Sequence, residues 1–458
     1  MSRRWWTSVV VAAGLMVPSA AWADGIEAPA PVEGTGIESV EIPSTRTLTL
    51  EQAMEQGRRA NPDMALARTR LESARLLQSQ AWSTLIPDFK ASAIYTRYDQ
   101  EISFDLGGAF PTDPNAPPTP APEPQVIRPL DEFRFTGTIS SVFDPRIFPL
   151  LENALLAEDI ALLSQSDLKR EIDYAVSQLY FQLLTLEALQ EIQLGALESQ
   201  NVLLEAAKGR KEAGAGTEFE ITRAMTELTK AQGELERTRV SYLSVRRALA
   251  QLIVTEADFK VEAPAQMPVP KSAQEMVDQA RRARPDLSRA DLNVQVAQND
   301  LTALYWTYAP TLVAQFNATA QQETAFNPQA FTWNIQLILS WTLYDGGLRE
   351  ARIDDAELKV QESVIMRDKL DREITTAISQ AFDDLRGHQI LLETSEREIE
   401  LAKKALEQAQ DGYKLGALPQ LEVINAELVL RIARVRQATY MLDYRLAVRN
   451  IYRLAGQN

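Results

Sequence analysis

The chain has 458 residues, a formal net charge of −16, one histidine and no cysteine. No cysteine means no disulfide framework, no thiolate nucleophile and no cysteine-built metal centre, and a single histidine speaks against a histidine-cluster site or a compact Ser-His-Asp triad. A pI near 4.8 leaves no basic face to meet phosphate, so no nucleic-acid partner is expected, and a transporter, scaffold or binding protein stands ahead of an enzyme.

Residues 1–23 read as a signal peptide. Arg3 and Arg4 form the basic start, Val9–Val17 the apolar stretch, and Ala21-Trp22-Ala23 the small-x-small cleavage pattern. The uncharged run from Trp5 to Val17 is short of the about 20 residues that span a membrane. No cysteine follows it, so no lipid anchor is expected there, and cleavage after Ala23 makes the chain two charges more acidic. No later segment offers a long uncharged apolar stretch. If the chain crosses a membrane, it does so with β-strands.

Beyond a Gly/Pro-rich linker over 24–47, the chain repeats itself. Pro62 and Pro87 recur as Pro285 and Pro310 with the same spacing, and Phe143-Asp144 recurs as Tyr344-Asp345. Gly214, Glu220, Ala224 and Arg247 recur 202 residues later as Gly416, Glu422, Ala426 and Arg449. The offset shrinks because the first half carries a longer loop, Gly107–Pro129, which holds eight prolines and reads as an extended, solvated excursion. The repeats are expected over 48–262 and 271–455, joined by a Pro-rich linker at 263–270 and followed by a short tail at 456–458.

Each repeat reads as short helix, helix, strand, loop, strand, very long helix, tight turn, long helix. The short helices span about Thr49–Ala60 and Ser272–Arg284, with Thr49 and Ser272 as N-caps, each stopped near a proline. The strands alternate. In Phe331–Thr342 the odd positions are Phe331, Trp333, Ile335, Leu337, Leu339 and Trp341, while the even ones are mostly polar. Thr311–Gln321 and Phe133–Phe143 follow suit, and Asp88–Phe104 does so more weakly. Alternation over about ten residues with aromatic ends is the pattern of a transmembrane barrel strand, although a half-buried strand of a soluble sheet alternates equally well.

From Gly347 to Leu415 no proline interrupts the run. A helix of that length spans roughly 100 Å. Its apolar seam steps by four and three through Ile374, Ile378, Ala381, Leu385, His388, Leu392, Ser395, Ile399, Ala402, Leu406, Ala409 and Tyr413. The same seam stands 202 residues earlier, from Ile172 to Lys211. A duplicated heptad seam predicts antiparallel, supercoiled helix packing, with His388 as a register residue.

This ordered set resembles the TolC family of outer-membrane efflux proteins over roughly Leu48 to Leu454. Its most specific signatures are the helix tips, Glu212-Ala-Gly-Ala-Gly-Thr-Glu-Phe-Glu220 and Tyr413-Lys-Leu-Gly-Ala-Leu-Pro-Gln-Leu-Glu422, with the aromatic–Asp strand-to-helix joins. The implied fold is mainly α with a β-barrel part: long antiparallel coiled-coil helices form a periplasmic tunnel, and four strands per chain enter a trimeric, twelve-stranded transmembrane barrel. Four strands alone cannot close, because closure takes about eight.

The resemblance implies a passive exit duct in the outer membrane of a Gram-negative bacterium, serving a tripartite efflux pump or type I secretion system. Its partners would be two further copies of the chain, outer-membrane lipid, a periplasmic adaptor and an inner-membrane pump of the RND, ABC or MFS class; no cofactor is implied. The loops Gly107–Pro129 and Gln322–Ala330 would then be extracellular. Adaptor contact falls on the tips near 214–219 and 416–421, at Gly214, Gly216, Thr217, Phe219, Gly416, Leu418 and Leu421. In the family, acids near the tip ring the closed entrance. Matching the pattern puts Glu422 in the acidic position, Asn425 where a second acid often stands, Tyr413 as the tip tyrosine and Glu220 as the acid it bonds. Leu418 replaces a basic latch residue.

Two rivals stand beside this reading. A periplasmic coiled-coil adaptor or scaffold without a pore explains the helices but leaves the strands idle. A hydrolase using Asp354/Asp355 or Asp383/Asp384 would need adjacent helical side chains, which diverge by about 100°, to share a site. Asp345-Gly346-Gly347 lacks the spaced glycines and lysine of a phosphate loop.

Overall fold

The computed structural model describes residues 46–104, 125–265, 267–322 and 329–457. The expected signal peptide, nearly all of the N-terminal linker and most of the Pro-rich loop lie outside the described residues.

The first repeat opens with β1 (Arg46–Leu48), α1 (Leu50–Ala60) and α2 (Pro62–Ser83). Thr49 caps α1 in a reciprocal capping box with Gln52, and Pro62 occupies the first turn of α2, where its missing N–H costs nothing. Strands β2 (Asp88–Arg97), β3 (Ile102–Phe104), β4 (Gln125–Arg128) and β5 (Asp131–Phe143) follow, then α3 (Ile147–Glu212), α4 (Glu218–Leu252) and β6 (Phe259–Val261). The second repeat runs α5 (Ala273–Ala283), α6 (Pro285–Tyr305), β7 (Thr311–Gln321), β8 (Phe331–Ser340), α7 (Leu348–Lys414) and α8 (Gln420–Leu454). Ser272 caps α5 as Thr49 caps α1.

Two details depart from the sequence reading. The expected strand Asp88–Phe104 breaks after Arg97, and its outer piece β3 pairs with β4, which is cut from the end of the Pro-rich loop. The loop therefore returns as a paired strand before Pro129, where solvated coil was expected.

The helices α3 and α7 contain 66 and 67 residues, each about 100 Å long. α3 packs along α4, α7 packs along α8, and α3 also packs on both α6 and α8, so α3 knits the repeats together. The α7 seam is buried or half-buried throughout, and Ile172, Val176, Leu183, Leu204 and Ala207 do the same on α3. The first seam ends differently. Lys211, the counterpart of Tyr413, is exposed and pairs with Glu218 across the turn, because a lysine cannot be buried there without its own counterion.

β1 and β6 form a short parallel pair that fastens the start of the first repeat to its end. Tyr180 of α3 lies beneath it, fully buried, with its hydroxyl 2.8 and 2.6 Å from the carbonyl oxygens of Leu48 and Glu262. Burial pushes that hydroxyl up to about 12. Beside it Arg58 donates through Nε and Nη2 to Asp173, at 2.6 and 2.5 Å. Arg281, the repeat counterpart of Arg58, grips Asp371 in the same forked way at 2.8 and 2.9 Å. A core of Met276, Val277, Ala280, Ile374, Ile378, Val448 and Ile451 closes the second repeat at that level.

The ends of α4 and α8 give a direct test of backbone strain. Both close in a Schellman turn: Thr255 N–H donates to Ala250 at 2.9 Å, and Gln457 N–H donates to Tyr452 at 2.9 Å. The residue that must turn left-handed is Gly456 in one case, φ 81°, and Val254 in the other, φ 53°. Val254 is half exposed and β-branched, so it bears a cost that its glycine counterpart does not. Val254→Gly is expected to stabilise the protein by about 1 kcal/mol, read as a rise in the thermal or urea midpoint. The reverse change, Gly456→Val, should destabilise by more, since its Cβ would sit 3.0 Å from the Ala283 carbonyl carbon.

Candidate functional site

The site has two parts, a sheet at one end of the long helices and a pair of turns at the other. The sheet has order β2-β5-β7-β8, all antiparallel. Its register gathers like with like. One row across four strands is Phe89, Ile139, Phe316 and Ile335; the next is Ala91, Gly137, Ala318 and Trp333. The intervening rows are Lys90, Thr138, Asn317 and Asn334, then Ser92, Thr136, Thr319 and Thr332. Successive residues point to opposite faces, so one face is apolar and the other is lined with amides and hydroxyls.

On the polar face Thr138 and Gln315 both donate to Asn317 Oδ1, at 3.0 and 2.9 Å, and Asn317 Nδ2 donates to Asn334 at 3.1 Å. On the other face Trp333, Ile335, Leu337 and Leu339 are 62–72% exposed, which water does not tolerate in a folded surface of that extent. β2 and β8 are edges with no further neighbour among the described residues. No helix among the described residues is long and apolar enough to cross a membrane.

The tips are two Schellman turns built on the same sequence logic. Gly214, φ 74°, donates to Lys211 while Ala215 donates to Arg210; Gly416, φ 71°, donates to Tyr413 while Ala417 donates to Gly412. Thr217 caps α4 by accepting from Glu220 N–H at 3.3 Å. Gly216 is close against Lys211 and has no room for a side chain. Leu418 folds back over Gly412, which likewise has no room for a Cβ. Leu203 of α3 joins Ala409, Tyr413, Val423 and Ile424 in a small core, so the second tip rests on the first repeat. Phe219 stays 72% exposed and Leu418 39%, while Leu421 is half-buried.

The candidate gate residues are only partly brought together. Glu422 and Asn425 are exposed on the first turns of α8. Tyr413 is buried, yet no hydrogen bond joins it to Glu220; Tyr413 Oη and Glu220 Oε2 are both buried and without a hydrogen-bond partner among the described residues. Instead Arg210 lies over the Tyr413 ring, 4.7 Å from its centroid. Burial raises the Tyr413 hydroxyl above its ordinary range, with Arg210 opposing the rise and Glu220 adding to it.

The sequence reading missed three members of this region. Arg210 is one. Gln420 is another: it is 3% exposed with both amide atoms unpartnered. The third is Glu427, which accepts from Ser199 and from Gln200, the latter at 2.6 Å, and so ties α8 to α3; burial raises its pKa. The acidic doublets form no site: Asp354, Asp355, Asp383 and Asp384 are all exposed, and Asp355 is taken by Lys359 at 2.6 Å. Among the described residues no group of three His, Asp or Glu side chains is placed to hold a metal ion.

Residues 276–457 match the model of the outer membrane efflux protein family. That match covers nearly all of the second repeat. The chain is 25% identical over 344 residues to the cation efflux system protein CusC of Escherichia coli, covering 69% of this chain and 71% of that protein. It is 22% identical over 310 residues to the outer membrane efflux protein BepC of Brucella suis, covering 65% and 67%. In fold it is similar to a crystal structure of CusC, with TM-score 0.73, 15% identity and coverage of 89% and 92%. The outer membrane protein VceC of Vibrio cholerae gives 0.71, 19%, and 89% and 96%. These relatives support an outer-membrane exit duct, with strands for the membrane and long helices for the tunnel beneath it.

The second tip constrains Gly412. A Cβ there would lie 2.6 Å from Leu418 Cδ1, so Gly412→Ala must dislodge Leu418. The N–H groups of Ala417 and Leu418, which donate to Gly412 at 2.8 and 3.1 Å, should then exchange with solvent about tenfold faster. Unchanged protection would mean that Leu418 has room to relocate.

Proposed function

We propose that three copies of this chain pool their strands into one twelve-stranded barrel and continue it as a closed helical tunnel through the periplasm. One observation carries this reading: the sheet has an apolar face, a polar face and two unpaired edges in a single chain. In lipid every backbone group must be paired, so β8 of one copy needs β2 of the next. The alternating directions of β2, β5, β7 and β8 let that joint be antiparallel like the others. The apolar rows then meet lipid and the amide rows line water.

The duct is passive. An inner-membrane pump of the RND, ABC or MFS class supplies the energy, and a periplasmic adaptor docks on the tips, where Phe219, Leu415 and Leu418 offer apolar surface around Gly214, Gly216 and Gly416. The relatives include a cation efflux protein and a pyoverdine export protein, cargoes of different chemistry, which suits a duct that leaves selection to its pump. The leader at 1–23 is cleaved after Ala23 and leaves no lipid anchor, and the two hairpin loops face outward. At the tip Glu422 is exposed near the start of α8, and three copies around the axis would present a ring of carboxylates to any solute entering.

Detergent-extracted protein should have a trimer's mass and produce discrete conductance steps in planar bilayers. Glu422→Gln should lower cation selectivity and block by multivalent cations, with the largest effect at low salt, where screening is weakest. A water-soluble monomer without conductance would remove the duct. Steps of normal size with unchanged selectivity in Glu422→Gln would remove only the acidic ring.

A further inference from the structure

Where the linker joins the two repeats, it leaves a recess. Tyr452 of α8 pins it by donating to the Pro268 carbonyl at 2.8 Å, and Met267 packs onto the core of the second repeat. Beneath the linker a cavity of about 560 Å3 is walled by Met267, Val269, Leu392, Met441 and Val448, with Phe181 reaching in from α3. That volume and its mixed apolar and polar lining suit a drug-sized molecule.

One charge projects from the wall. Arg445 of α8 lines the cavity and makes no hydrogen bond, ion pair or ring contact among the described residues. Its pKa is held below the usual arginine range by burial alone, with no carboxylate acting against that loss of water. Arg449, one turn on, is also desolvated but has Asp173 to offset it. Glu393 and Glu396 line the same cavity, yet they are exposed and neither forms an ion pair with Arg445. A half-buried guanidinium without a counter-charge is unfavourable until an anion meets it.

The duplication sharpens the point. At the positions equivalent to Leu392, Met441, Arg445 and Val448, the first repeat has Gln190, Arg239, Leu243 and Arg246. Charge and hydrocarbon have changed places. The polar and apolar pattern that lines the recess is therefore not repeated at the equivalent helix positions of the first repeat.

We propose that this recess binds a small amphiphilic monoanion, whose apolar or aromatic body fills the space under the linker and whose carboxylate or sulfonate meets Arg445. The guanidinium fork can hold such a group with two parallel N–H bonds. Glu393 and Glu396 at the wall disfavour a second negative charge, which sets the preference for monoanions. The site is tested by binding alone, without any transport measurement.

Naphthalene-2-carboxylate is titrated calorimetrically into the detergent-extracted full chain, with the neutral naphthalene-2-carboxamide as control. The carboxylate should bind saturably, at least about tenfold more tightly than the amide. Arg445→Gln should bring the carboxylate down to the level of the amide and leave the amide unchanged. Met267→Trp, which fills the recess and keeps Arg445, should remove binding of both. Equal affinity for the two probes, no saturable binding to the wild type, or full carboxylate affinity in Arg445→Gln would each overturn the proposal. Should Arg445→Gln fail to fold, Arg445→Lys decides it: the carboxylate preference should fall while amide binding stays unchanged, and full carboxylate affinity in Arg445→Lys would overturn the bidentate recognition.

Discussion

Backbone pairing governs this molecule more than any side chain does. A buried peptide group without a partner costs several kcal/mol in hydrocarbon, and a ten-residue edge strand carries about five such donors and acceptors. β2 and β8 are edges of this kind, and the residues flanking their hydrogen bonds are Phe89, Trp333, Ile335 and Leu337, side chains that suit lipid and not water. Among the described residues nothing covers those edges. Its helices lie beyond one end of the sheet, and the described part of the hairpin extension, β3 with β4, lengthens the ribbon without capping an edge. Under the proposed barrel, association completes the sheet, and the long helices continue strands whose spacing that barrel would set.

The duplication and the alternation were legible because both depend on periodicity, which one sequence carries in full. Thr49, Ser272, Pro62 and Pro285 marked helix starts through local chemistry, and Gly214 and Gly416 marked the tips because a left-handed residue is needed there whatever surrounds it. What escaped notice depends on contacts across the chain. Arg210 stacks on Tyr413, 203 residues away in sequence, and Glu427 meets Ser199 and Gln200 on a helix of the other repeat. β4 was hidden for a different reason: proline composition outweighed the four residues Gln125–Arg128 that pair.

Where the repeats disagree, the disagreement is informative. A shared framework would tolerate the same residue at Val254 and Gly456, at Lys211 and Tyr413, or at Leu243 and Arg445. In the first pair the difference is strain borne by one copy. In the second it separates an exposed, ion-paired tip from one buried against α3 and α8. In the third it places a charge in the recess under the linker. The two halves have kept the helical geometry and diverged where each meets something different.

The two ends of the duct also differ in how completely the chain satisfies its own polar groups. The sheet's polar face is linked by side-chain bonds from Thr138 through Asn317 to Asn334. At the tips, Arg210 Nε, Glu220 Oε2, Tyr413 Oη and both amide atoms of Gln420 are buried without partners. Each such atom costs about 1–3 kcal/mol, so relieving even two of them would match the free energy of a local opening. A region held this way is poised to exchange contacts. Water, a neighbouring copy or an adaptor could each supply the missing bonds, and each would do so in a different arrangement of the turns. The rigid end is fixed by backbone pairing that lipid enforces; the adjustable end is the one where α7 turns into α8 with polar groups still to be met.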